Sequence, residues 1–493
     1  MKKIYLLTAL ILFYCVQIIN AQPVTLDPTF GQDGIATFPK GAITHFDFDK
    51  YGNIIAAGRF ESLLKGYWGE LPMILKTDPN GNPDKNFGNN GQVILYDGFT
   101  ENWEIYGLKI TTDNKILLII TSYPDEIPLN EEHGTWMIKF NEDGSFDNSY
   151  GNNGKIFLEP ITYIFAIDLS RDDYFITLNG DEENEFVLKH NYNGEMDSTF
   201  GDNGKVYLTD NKTFLIFPEC VKILSDQSII VAGYDYFKKI NVRIQQLAFF
   251  KLTPNGNFDT NFANNGILII ESDLVGSKIF DNVMEDADGA LVLTGNNNAN
   301  TTNNNRFICR FNSNGTIDNS FGENGFFYYK EISSSIWRKT LLQNGDKYLI
   351  GEIRTIYSFN HHGTADTSFN NTGTFWLGPD SYFFHNMKLQ NSNKIIVGGM
   401  DFSFNMIMAR INILQDNSIK PNDNIDIINI YPNPAKDYLY FSNETPFEIF
   451  DIYGRKQKAE SRKQNAVDIS NLNAGIYFIK FGDNNRVLKF VKQ

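Results

Sequence analysis

Short apolar runs separated by polar turns repeat through most of this chain. The run at residues 93–95 has three apolar residues, whereas IIAAG at Ile54, IIVAG at Ile229 and IIVGG at Ile395 are longer and are bounded by turn residues. Runs of this length between Gly, Asn and Asp residues are typical of buried β-strands. Other runs place one basic or polar residue among apolar ones, as in MILKTD and MIMARIN. The pattern predicts an all-β protein built from many short strands.

One motif punctuates these strands seven times. It consists of Asp, two residues, an aromatic residue, usually Gly, two more residues and Gly, as in DPTFGQDG. The copies are spaced 48 to 63 residues apart, and a period of this size indicates a repeat architecture. The Asp and aromatic positions are Asp27, Phe30, Asp84, Phe87, Asp147, Tyr150, Asp197, Phe200, Asp259, Phe262, Asp318, Phe321, Asp366 and Phe369. Each repeat contains four strand signals, which is typical of a propeller blade.

The motifs and the recurring VAG-type strands resemble the Delta-60 repeat family over residues 26–412. The resemblance implies a β-propeller and no defined activity. It is weaker in the sixth repeat, where the third and fourth strands run together as KYLIGEIRTIYSFN, and in the seventh motif, where Asn370 replaces Gly and Thr372 disturbs the pattern. We therefore predict a seven-bladed β-propeller with four-stranded blades. The alternatives are an open stack of repeats and an eight-bladed disc.

The phase of the repeats predicts how the propeller closes. The first repeat begins at the motif without a preceding fourth strand, and the last repeat ends with a fourth strand and no motif. The strand at residues 35–38 is therefore expected to complete the sheet that contains the last strand, which hides both edges. Because successive strands alternate in direction, the motif turns and the second-to-third-strand turns should share one face of the disc. We call it the motif face.

The remaining connections differ widely among the repeats, so we call their side the variable face. Variable loops on one face of a repeat protein usually carry its binding function. Acidic residues in repeats two and three, such as Asp125 and Glu183, also fall there and suit a cation or a basic partner. The alternative is solvated loops whose aromatic residues pack on the disc. The aromatic candidates for stacking on a sugar or holding a peptide are Trp68, Trp103, Tyr123, Tyr234 and Tyr236.

The Asp- and Asn-rich motif invites comparison with calcium sites. Calcium needs six or more oxygen ligands from closely spaced positions, whereas each copy brings one recurring Asp and a later Asn that varies. We therefore expect a structural motif. Its Asp caps a turn, its aromatic residue packs between neighbouring blades, and its Gly residues adopt positive φ. No cofactor is predicted, and calcium is not supported.

The N-terminal residues have the pattern of a secretory signal peptide. Two Lys residues precede an apolar stretch at residues 4–19, and the small residue Ala21 before Gln22 suits cleavage. A membrane anchor is the alternative, but the apolar run is short and no basic stop-transfer segment follows it. The mature chain is predicted to have no transmembrane segment.

The last residues have a pattern of their own, in which apolar alternation is punctuated by Gly as in short strands. The segments are Tyr431-Pro432-Asn433-Pro434, Asp437, FEIFDIYG ending at Gly454, and DISNLNAGIYFIK around Gly475. Together they resemble the type A C-terminal sorting domain of the type IX secretion system. The resemblance implies a small immunoglobulin-like β-sandwich. It also implies recognition by the type IX machinery of a Bacteroidetes-type bacterium and a secreted or outer-membrane cell-surface location.

Composition and charge narrow the function. The formal net charge of −16 disfavours nucleic-acid binding, which needs a basic surface. Cys220 and Cys309 follow the predicted signal peptide and lie in apolar runs, so buried thiols are expected, although export permits a disulfide. The six His residues are scattered, with His361-His362 as the single adjacent pair, at a turn position. The motifs HExxH, GxSxG and the P-loop do not occur.

The predicted organisation has a signal peptide at residues 1–21, a propeller at 22–414, a linker at 415–424 and the sorting domain at 425–493. Two function classes fit it. The first is a secreted or cell-surface module that binds a glycan or a protein. The alternative is a polysaccharide-acting glycosidase or lyase with carboxylates in the propeller funnel. The lack of a nucleophile or metal motif favours binding, and a passive surface-layer role is also compatible with the sequence.

Overall fold

A computed structural model describes most of the chain, and every regular element that it describes is a β-strand. Contacts divide the chain into two compact units, Met1–Gln415 and Asp416–Gln493, which are treated separately below. The described residues are 24–64, 67–95, 103–122, 134–158, 163–170, 174–180, 184–208, 216–239, 242–270, 278–297, 305–330, 340–377, 382–413, 430–431, 434–451, 455–481 and 486–493.

The strands of the first unit follow one another in sets. The first set is β1 (Thr25–Leu26), β2 (Ile35–Phe48), β3 (Ile54–Leu64), β4 (Tyr67–Thr77) and β5 (Gln92–Ile94). Next come β6 (Trp103–Ile110), β7 (Ile116–Ser122), β8 (Gly134–Phe140), β9 (Lys155–Leu158), β10 (Tyr163–Leu169), β11 (Tyr174–Gly180), β12 (Glu185–Asn191) and β13 (Lys205–Tyr207). They are followed by β14 (Ile216–Ile223), β15 (Ile229–Lys239), β16 (Val242–Leu252), β17 (Ile267–Ile270), β18 (Lys278–Glu285), β19 (Leu291–Asn297), β20 (Asn305–Phe311) and β21 (Phe326–Lys330). The last are β22 (Thr340–Asn344), β23 (Lys347–Glu352), β24 (Thr355–Asn360), β25 (Thr374–Trp376), β26 (Tyr382–Asn391), β27 (Lys394–Asp401) and β28 (Asn405–Asn412).

Within the described residues these strands form seven four-stranded antiparallel sheets, two of which share β2. Sheet 1 consists of the second part of β2 with β3, β4 and β5. Sheets 2 to 6 each consist of four consecutive strands, from β6–β9 through β22–β25. Sheet 7 consists of β26, β27, β28 and the first part of β2, and the two-residue strand β1 also pairs with the end of β28.

The long strand β2 joins the last sheet to the first. Its residues 35–40 pair with β28, and its residues 41–48 pair with β3. Gly41 lies where the strand passes between the sheets, at φ +144, and a Cβ there would stand 1.7 Å from the Arg59 carbonyl oxygen. A glycine is therefore required at this crossing. The predicted closure, in which the first repeat completes the last sheet, is confirmed.

The first strand of each sheet is its innermost strand. In the described residues β2, β6, β10, β14, β18, β22 and β26 each contact the next one along the chain, and β26 contacts β2. Apolar cores fill the space between neighbouring sheets. One such core combines Phe30, Met73 and Met408, which come from sheets 1 and 7. The predicted all-β propeller class is confirmed.

The two irregular repeats keep the common plan. In the sixth repeat the continuous apolar segment divides into β23 and β24, joined by a tight turn at residues 353–354. In the seventh motif Asn370 adopts φ +53, close to the values of 52 to 56 at the equivalent Gly31, Gly88 and Gly322. Asn tolerates this left-handed conformation better than most residues, so the motif survives the substitution.

The second unit is a small β-domain with its own core. Its strands are β29 (Ile430–Tyr431), β30 (Tyr438–Asp451), β31 (Lys456–Asp468), β32 (Gly475–Phe481) and β33 (Arg486–Lys492). The strand order is β29-β30-β32-β33, and β31 also pairs with β30. Leu439, Phe441, Ile449, Ile479 and Phe490 are among its buried residues. The immunoglobulin-like assignment stays a prediction.

Candidate functional site

Contacts between turns define the two faces of the first unit. Lys50, in the β2–β3 turn, lies 3.4 Å from the Glu142 carboxylate, which precedes the motif of sheet 2. On the opposite side the indole N–H of Trp103, at the start of β6, donates to the Glu70 carbonyl of the β3–β4 hairpin. The motif turns and the second-to-third-strand turns therefore share one face, as predicted.

The motif Asp caps its own turn in all seven copies. One carboxylate oxygen accepts the backbone N–H two residues later, at 3.0 to 3.2 Å. The other oxygen pairs with a cation in most copies, as between Asp147 and Lys115 at 2.7 Å. At Asp366, burial raises the pKa, but hydrogen bonds from Ser368, Lys347 and Ser358 outweigh it and hold that pKa below the ordinary value. The motif carboxylates are therefore occupied in structural contacts.

In five of the seven motifs, the residue after the motif aromatic links one sheet to the next. Its backbone N–H donates to a turn carbonyl of the following sheet. The described links of this kind are Gly31 to Asn80, Gly88 to Asp143, Gly201 to Asn255, Ala263 to Asn314 and Gly322 to His362, at 2.7 to 2.8 Å. The aromatic ring packs against the same turn, as Phe87 does under Gly144. The structural interpretation of the motif accounts for these contacts, and His362 serves as a turn residue.

Paired charges surround the axis near the motif face. Asp47 on β2 lies 2.9 Å from Lys388 on β26 and 3.9 Å from Lys109 on β6. Between sheets 3 and 4, Asp168 on β10 lies 2.7 Å from Lys222 on β14. These residues occupy equivalent positions on the innermost strands, so charges of opposite sign alternate over sheets 7, 1, 2, 3 and 4, whereas β18 has Met284 at this position. At the motif end of the axis, ion pairs therefore connect neighbouring sheets and serve the structure.

Towards the variable face, six of the innermost strands carry a β-bulge at an equivalent place within the part of the chain that the structure describes. The extra residue opposes no partner on the second strand, and such a bulge re-aims a side chain. The bulged residues are Thr44, Tyr106, Phe165, Glu219, Asp281 and His385. Their types differ from sheet to sheet, in contrast to the uniform motif face. This rim of the axis is therefore the chemically diverse part of the disc.

A cleft opens beside one of these bulges, between sheets 6 and 7. It is small, and Thr340, Glu352, His385 and Asn386 are among the residues that line it. Glu352 is buried and accepts a hydrogen bond from the Tyr329 hydroxyl at 3.0 Å. Burial, aided by the charge of Arg59, lowers the pKa of His385 to about 4. The imidazole is therefore neutral at pH 7.

An aromatic cluster with a central arginine lies next to this cleft. The guanidinium carbon of Arg354 is 5.0 Å from the centre of the Phe383 ring and 4.9 Å from that of the Phe402 ring. The two rings are 5.1 Å apart at 75° to one another. Arg354 comes from the β23–β24 turn, Phe383 from β26 and Phe402 from the β27–β28 turn. We call these three residues the Arg354 cluster.

Two further aromatic residues stand beside the Arg354 cluster on the variable face. Phe404 is 53% exposed, Phe402 is 51% exposed, and Trp376 is 50% exposed at a position paired with Thr355. Phe404 also adopts φ +59, a conformation that is unusual for a bulky residue and favours Gly or Asn in tight hairpins. Its side chain is thus exposed at some conformational cost.

The sequence did not single out this region, and its own candidates have different positions. Trp103 is 9% exposed and belongs to a core between sheets 1 and 2, with Arg59 5.9 Å from its ring. Tyr234 is half-buried and stacks at 5.1 Å on Phe217, which is exposed. Tyr123 and the side chains of Trp68 and Tyr236 lie outside the described residues. The binding roles of these five residues stay predictions.

The predicted processing and sorting residues are only partly described. Pro434, Asp437 and Gly475 are exposed, and Tyr431 pairs with Tyr440. Ala21, Gln22, Pro432, Asn433 and Gly454 lie outside the described residues, as does the Tyr431 side chain. Asp437 accepts, through its backbone carbonyl, the N–H of Ile469 at 2.8 Å. It therefore helps to fix the start of β30 within the small domain.

The two cysteines do not form a disulfide. Cys309 is fully buried, as predicted, but Cys220 is half-buried because it follows a bulge on an innermost strand. In the part of the chain that the structure describes, no group of three His, Cys, Asp or Glu side chains is placed to hold a metal ion. No helix among the described residues has the length and apolar character needed to cross a membrane.

Two protein families match segments of the chain. Residues 429–493 match the secretion system C-terminal sorting domain. Residues 287–321, which include β19, β20 and the start of the motif at Asp318, match a β-propeller domain of unknown function, DUF5122. This is the Delta-60 repeat family that the motifs resemble. The chain is an exported propeller protein with a C-terminal sorting domain. It is secreted or displayed at the cell surface.

Solved structures with related architecture share little sequence with this chain. The type IX secretion component PorZ of Porphyromonas gingivalis is 9% identical, with a TM-score of 0.35, over 92% of this chain and 59% of its own. The Dos1 propeller is 11% identical, with a TM-score of 0.41, over 79% of this chain and 95% of its own. The propeller of the trilobed protease from Pyrococcus furiosus is 8% identical, also with a TM-score of 0.41, over 77% of this chain and 97% of its own. The chain thus spans less than two thirds of PorZ, and these scores carry no functional argument. None of the curated proteins matches the chain.

Proposed function

We propose that this protein is an exported binding module whose seven sheets are the blades of one closed disc and whose variable face holds the ligand. The motif face is unsuited to this role because its carboxylates and turns are used in caps, ion pairs and links between sheets. The variable face instead has bulged strands, exposed aromatic residues and unequal hairpins. The C-terminal domain serves export through the type IX secretion machinery.

The single observation that carries this proposal is the Arg354 cluster with its exposed neighbours. Monomeric soluble proteins expose single apolar residues freely, but a group of large aromatic residues on one patch marks an interaction site. Three separate turns and strands converge to build this patch. Aromatic residues and Arg are also the residue types that dominate binding energy at protein surfaces.

The test compares Phe402→Ala and Trp376→Ala with Tyr51→Ala in the exported full chain. Tyr51 is a matched control because it is 63% exposed on a motif-face turn. Binding to a panel of soluble polysaccharides and purified surface proteins is measured by titration calorimetry. We expect the first two variants to lose about tenfold or more in affinity and the control to keep it. Equal losses in all three variants, or none in any, would place the ligand elsewhere.

The cleft favours one second candidate, a polysaccharide-acting enzyme. A buried carboxylate and a neutral imidazole, here Glu352 and His385, are groups that can exchange protons with a substrate. Glu352→Gln keeps the shape of the side chain and removes its charge. Release of shortened or unsaturated oligosaccharides by the native chain, lost in Glu352→Gln, would establish this activity. Binding without any product would support the binding module alone.

A further inference from the structure

We propose that Asn344 is a modification site, at which the folded chain spontaneously converts its own side-chain amide to a carboxylate. The nucleophile is the backbone nitrogen of Gly345, and water is the other reactant. The chain contains eleven Asn-Gly pairs, all of them within the described residues. The structure distinguishes this pair from the other ten. The inference is independent of the proposed binding function.

The chemistry starts from the backbone of glycine. Asn-Gly pairs are labile because glycine has no Cβ to hinder its nitrogen. That nitrogen loses its proton to hydroxide and attacks Cγ of the preceding Asn. The new N–Cγ bond closes a cyclic imide, the Cγ–Nδ2 bond breaks, and ammonia leaves with a proton taken back from water. Water then opens the imide at either carbonyl, which leaves Asp or isoaspartate, and no oxidant or reductant is needed.

In nine of the pairs the glycine nitrogen is held by a hydrogen bond. In the five motif pairs its N–H donates to the carbonyl of the motif aromatic residue at 2.8 to 2.9 Å, as from Gly204 to Phe200. In four turn pairs it donates to the carbonyl three residues earlier at 2.8 to 3.1 Å, as from Gly256 to Thr253. Such a nitrogen must lose its hydrogen bond before it can attack. The nine glycines are Gly81, Gly91, Gly154, Gly194, Gly204, Gly256, Gly266, Gly315 and Gly325.

Exposure of the asparagine does not separate the pairs. Asn203, Asn255 and the other asparagines of these nine pairs are exposed, but their glycines are buried or half-buried. In the tenth pair, Asn179 is fully buried within β11, and its Nδ2 donates to Thr177. Ten of the pairs are therefore protected by the fold itself, either at the glycine nitrogen or by burial.

Gly345 differs from the other ten glycines. It is exposed at the tip of the β22–β23 hairpin and adopts φ +62, as expected at the first central position of a two-residue turn. Among the described residues its N–H has no hydrogen-bond acceptor. A Cβ on it would meet nothing within 4 Å, so the hairpin tip has room to bring the nitrogen against Cγ of Asn344.

The Asn344 side chain connects sheets 6 and 7 before it reacts. Its Nδ2 donates to the Ser392 carbonyl, in the β26–β27 turn, at 3.0 Å. A single exposed hydrogen bond of this kind opens readily, so it does not block the reaction. Afterwards Nδ2 is gone and a carboxylate faces the carbonyl oxygen, so this contact between sheets is lost. Isoaspartate also lengthens the main chain by one carbon beside the pairing of Asn344 with Lys347.

The experiment follows all eleven pairs in one sample of the exported full chain. One portion is incubated folded in a mildly alkaline buffer, because hydroxide speeds the first step, and a second portion is incubated in urea. Trypsin cleavage after Lys339 and Lys347 releases residues 340–347, which contain only this Asn-Gly pair. Conversion makes the peptide heavier by one mass unit and divides it into Asp and isoaspartate forms on chromatography. Fragment ions distinguish Asn344 from Gln343.

We expect Asn344 to convert about tenfold faster than any other Asn-Gly pair in the folded chain. In urea, where the protecting contacts are absent, the eleven rates should be similar. Gly345→Ala should slow conversion of the folded chain severalfold, because its Cβ hinders the nitrogen. Asn344→Asp copies one product and should lower the melting midpoint by about 1–2 °C. Asn255→Asp, which puts the same charge on another exposed turn, is the matched control and should change it less.

Three outcomes would contradict the inference. Equal conversion of the eleven pairs in the folded chain, or faster conversion of a motif pair, overturns the assignment of the site to Asn344. Conversion of Asn344 in urea but not in the folded chain overturns it as well, since the hairpin then protects the pair. Equal midpoints of Asn344→Asp and Asn255→Asp overturn the predicted loss of the contact with Ser392.

Discussion

The Asp27 carboxylate lies 2.8 Å from Nε of Arg410, which places the first motif of the chain against the last strand of the disc. The same carboxylate oxygen lies 2.7 Å from Nζ of Lys394. Asp27 directly follows β1, which pairs with the end of β28. The ion pair therefore fastens the two ends of the first unit beside the strand pairing that closes it.

Asp27→Asn should destabilise the disc more than Asp84→Asn. Both residues cap the motif turn with the same hydrogen bond, but Asp84 has no ion pair among the described residues. Arg410 is almost fully buried, and leaving a buried charge without its partner costs about 3 kcal/mol. Melting midpoints of the two variants measure the difference. Equal losses would mean that the caps, and not the closing ion pair, carry the effect.

Gly144→Ala should lower the melting midpoint more than Gly289→Ala. The two glycines adopt φ +84 and φ +78, so the backbone strain of the substitution is the same in both. A Cβ at position 144 would stand 3.0 Å from the Phe87 ring of the preceding sheet, whereas nothing lies within 4 Å of one at 289. We expect an additional loss of about 1–3 kcal/mol from overpacking. Equal midpoints would show that the contact between sheets adjusts freely.

Phe404→Asn should stabilise the protein while it weakens ligand binding. Asn tolerates the left-handed conformation that Phe404 adopts, so we expect a gain of about 1 kcal/mol. Phe402→Asn is the control. Phe402 does not have a positive φ, so this substitution should give no such gain in stability. Chemical denaturation and titration calorimetry report the two effects. A loss of stability in Phe404→Asn would mean that the side chain packs on the disc.

Stability should fall as the pH drops from about 6.5 towards 4, in part because of His190. Burial lowers the pKa of His190 from 6.5 to about 4, so the folded state favours the neutral ring and the unfolded state takes up the proton first. Between pH 7 and pH 5 this residue should cost about 2 kcal/mol. His190→Gln should flatten the dependence of the melting midpoint on pH over this window. An unchanged pH profile would refute the assignment of this cost to His190.

Much of the fold follows from the sequence because the motif acts locally. The Asp cap, the positive-φ glycines and the Asn–Gly turns involve residues within ten positions of one another, so their spacing is visible along the chain. The closure by residues 35–40 follows from the phase of the repeats. The division of the sixth repeat into β23 and β24 is less visible, because Arg354 and its neighbours form a turn without Gly, Asn or Pro.

The candidate site follows poorly from the sequence because it is assembled across repeats. Arg354, Phe383 and Phe402 come from three turns and strands, and nothing in their spacing connects them. The bulges at residues such as His385 leave no mark in the apolar pattern. The sequence also cannot tell whether a loop aromatic faces solvent. Trp103 was a candidate for an exposed platform, yet its N–H is bonded to the Glu70 carbonyl and its ring is buried.

The sheets are offset from the sequence repeats by one strand, and this affects how such a gene can change length. A segment from one motif to the next encodes the outermost strand of one sheet and three strands of the following sheet. Tandem duplication of that segment adds a whole sheet and restores every strand pairing and every link between neighbours. Recombination at motif boundaries can therefore enlarge or shrink the disc without new local contacts. Only the angle between neighbouring sheets has to change, because a different number of sheets must close the same ring.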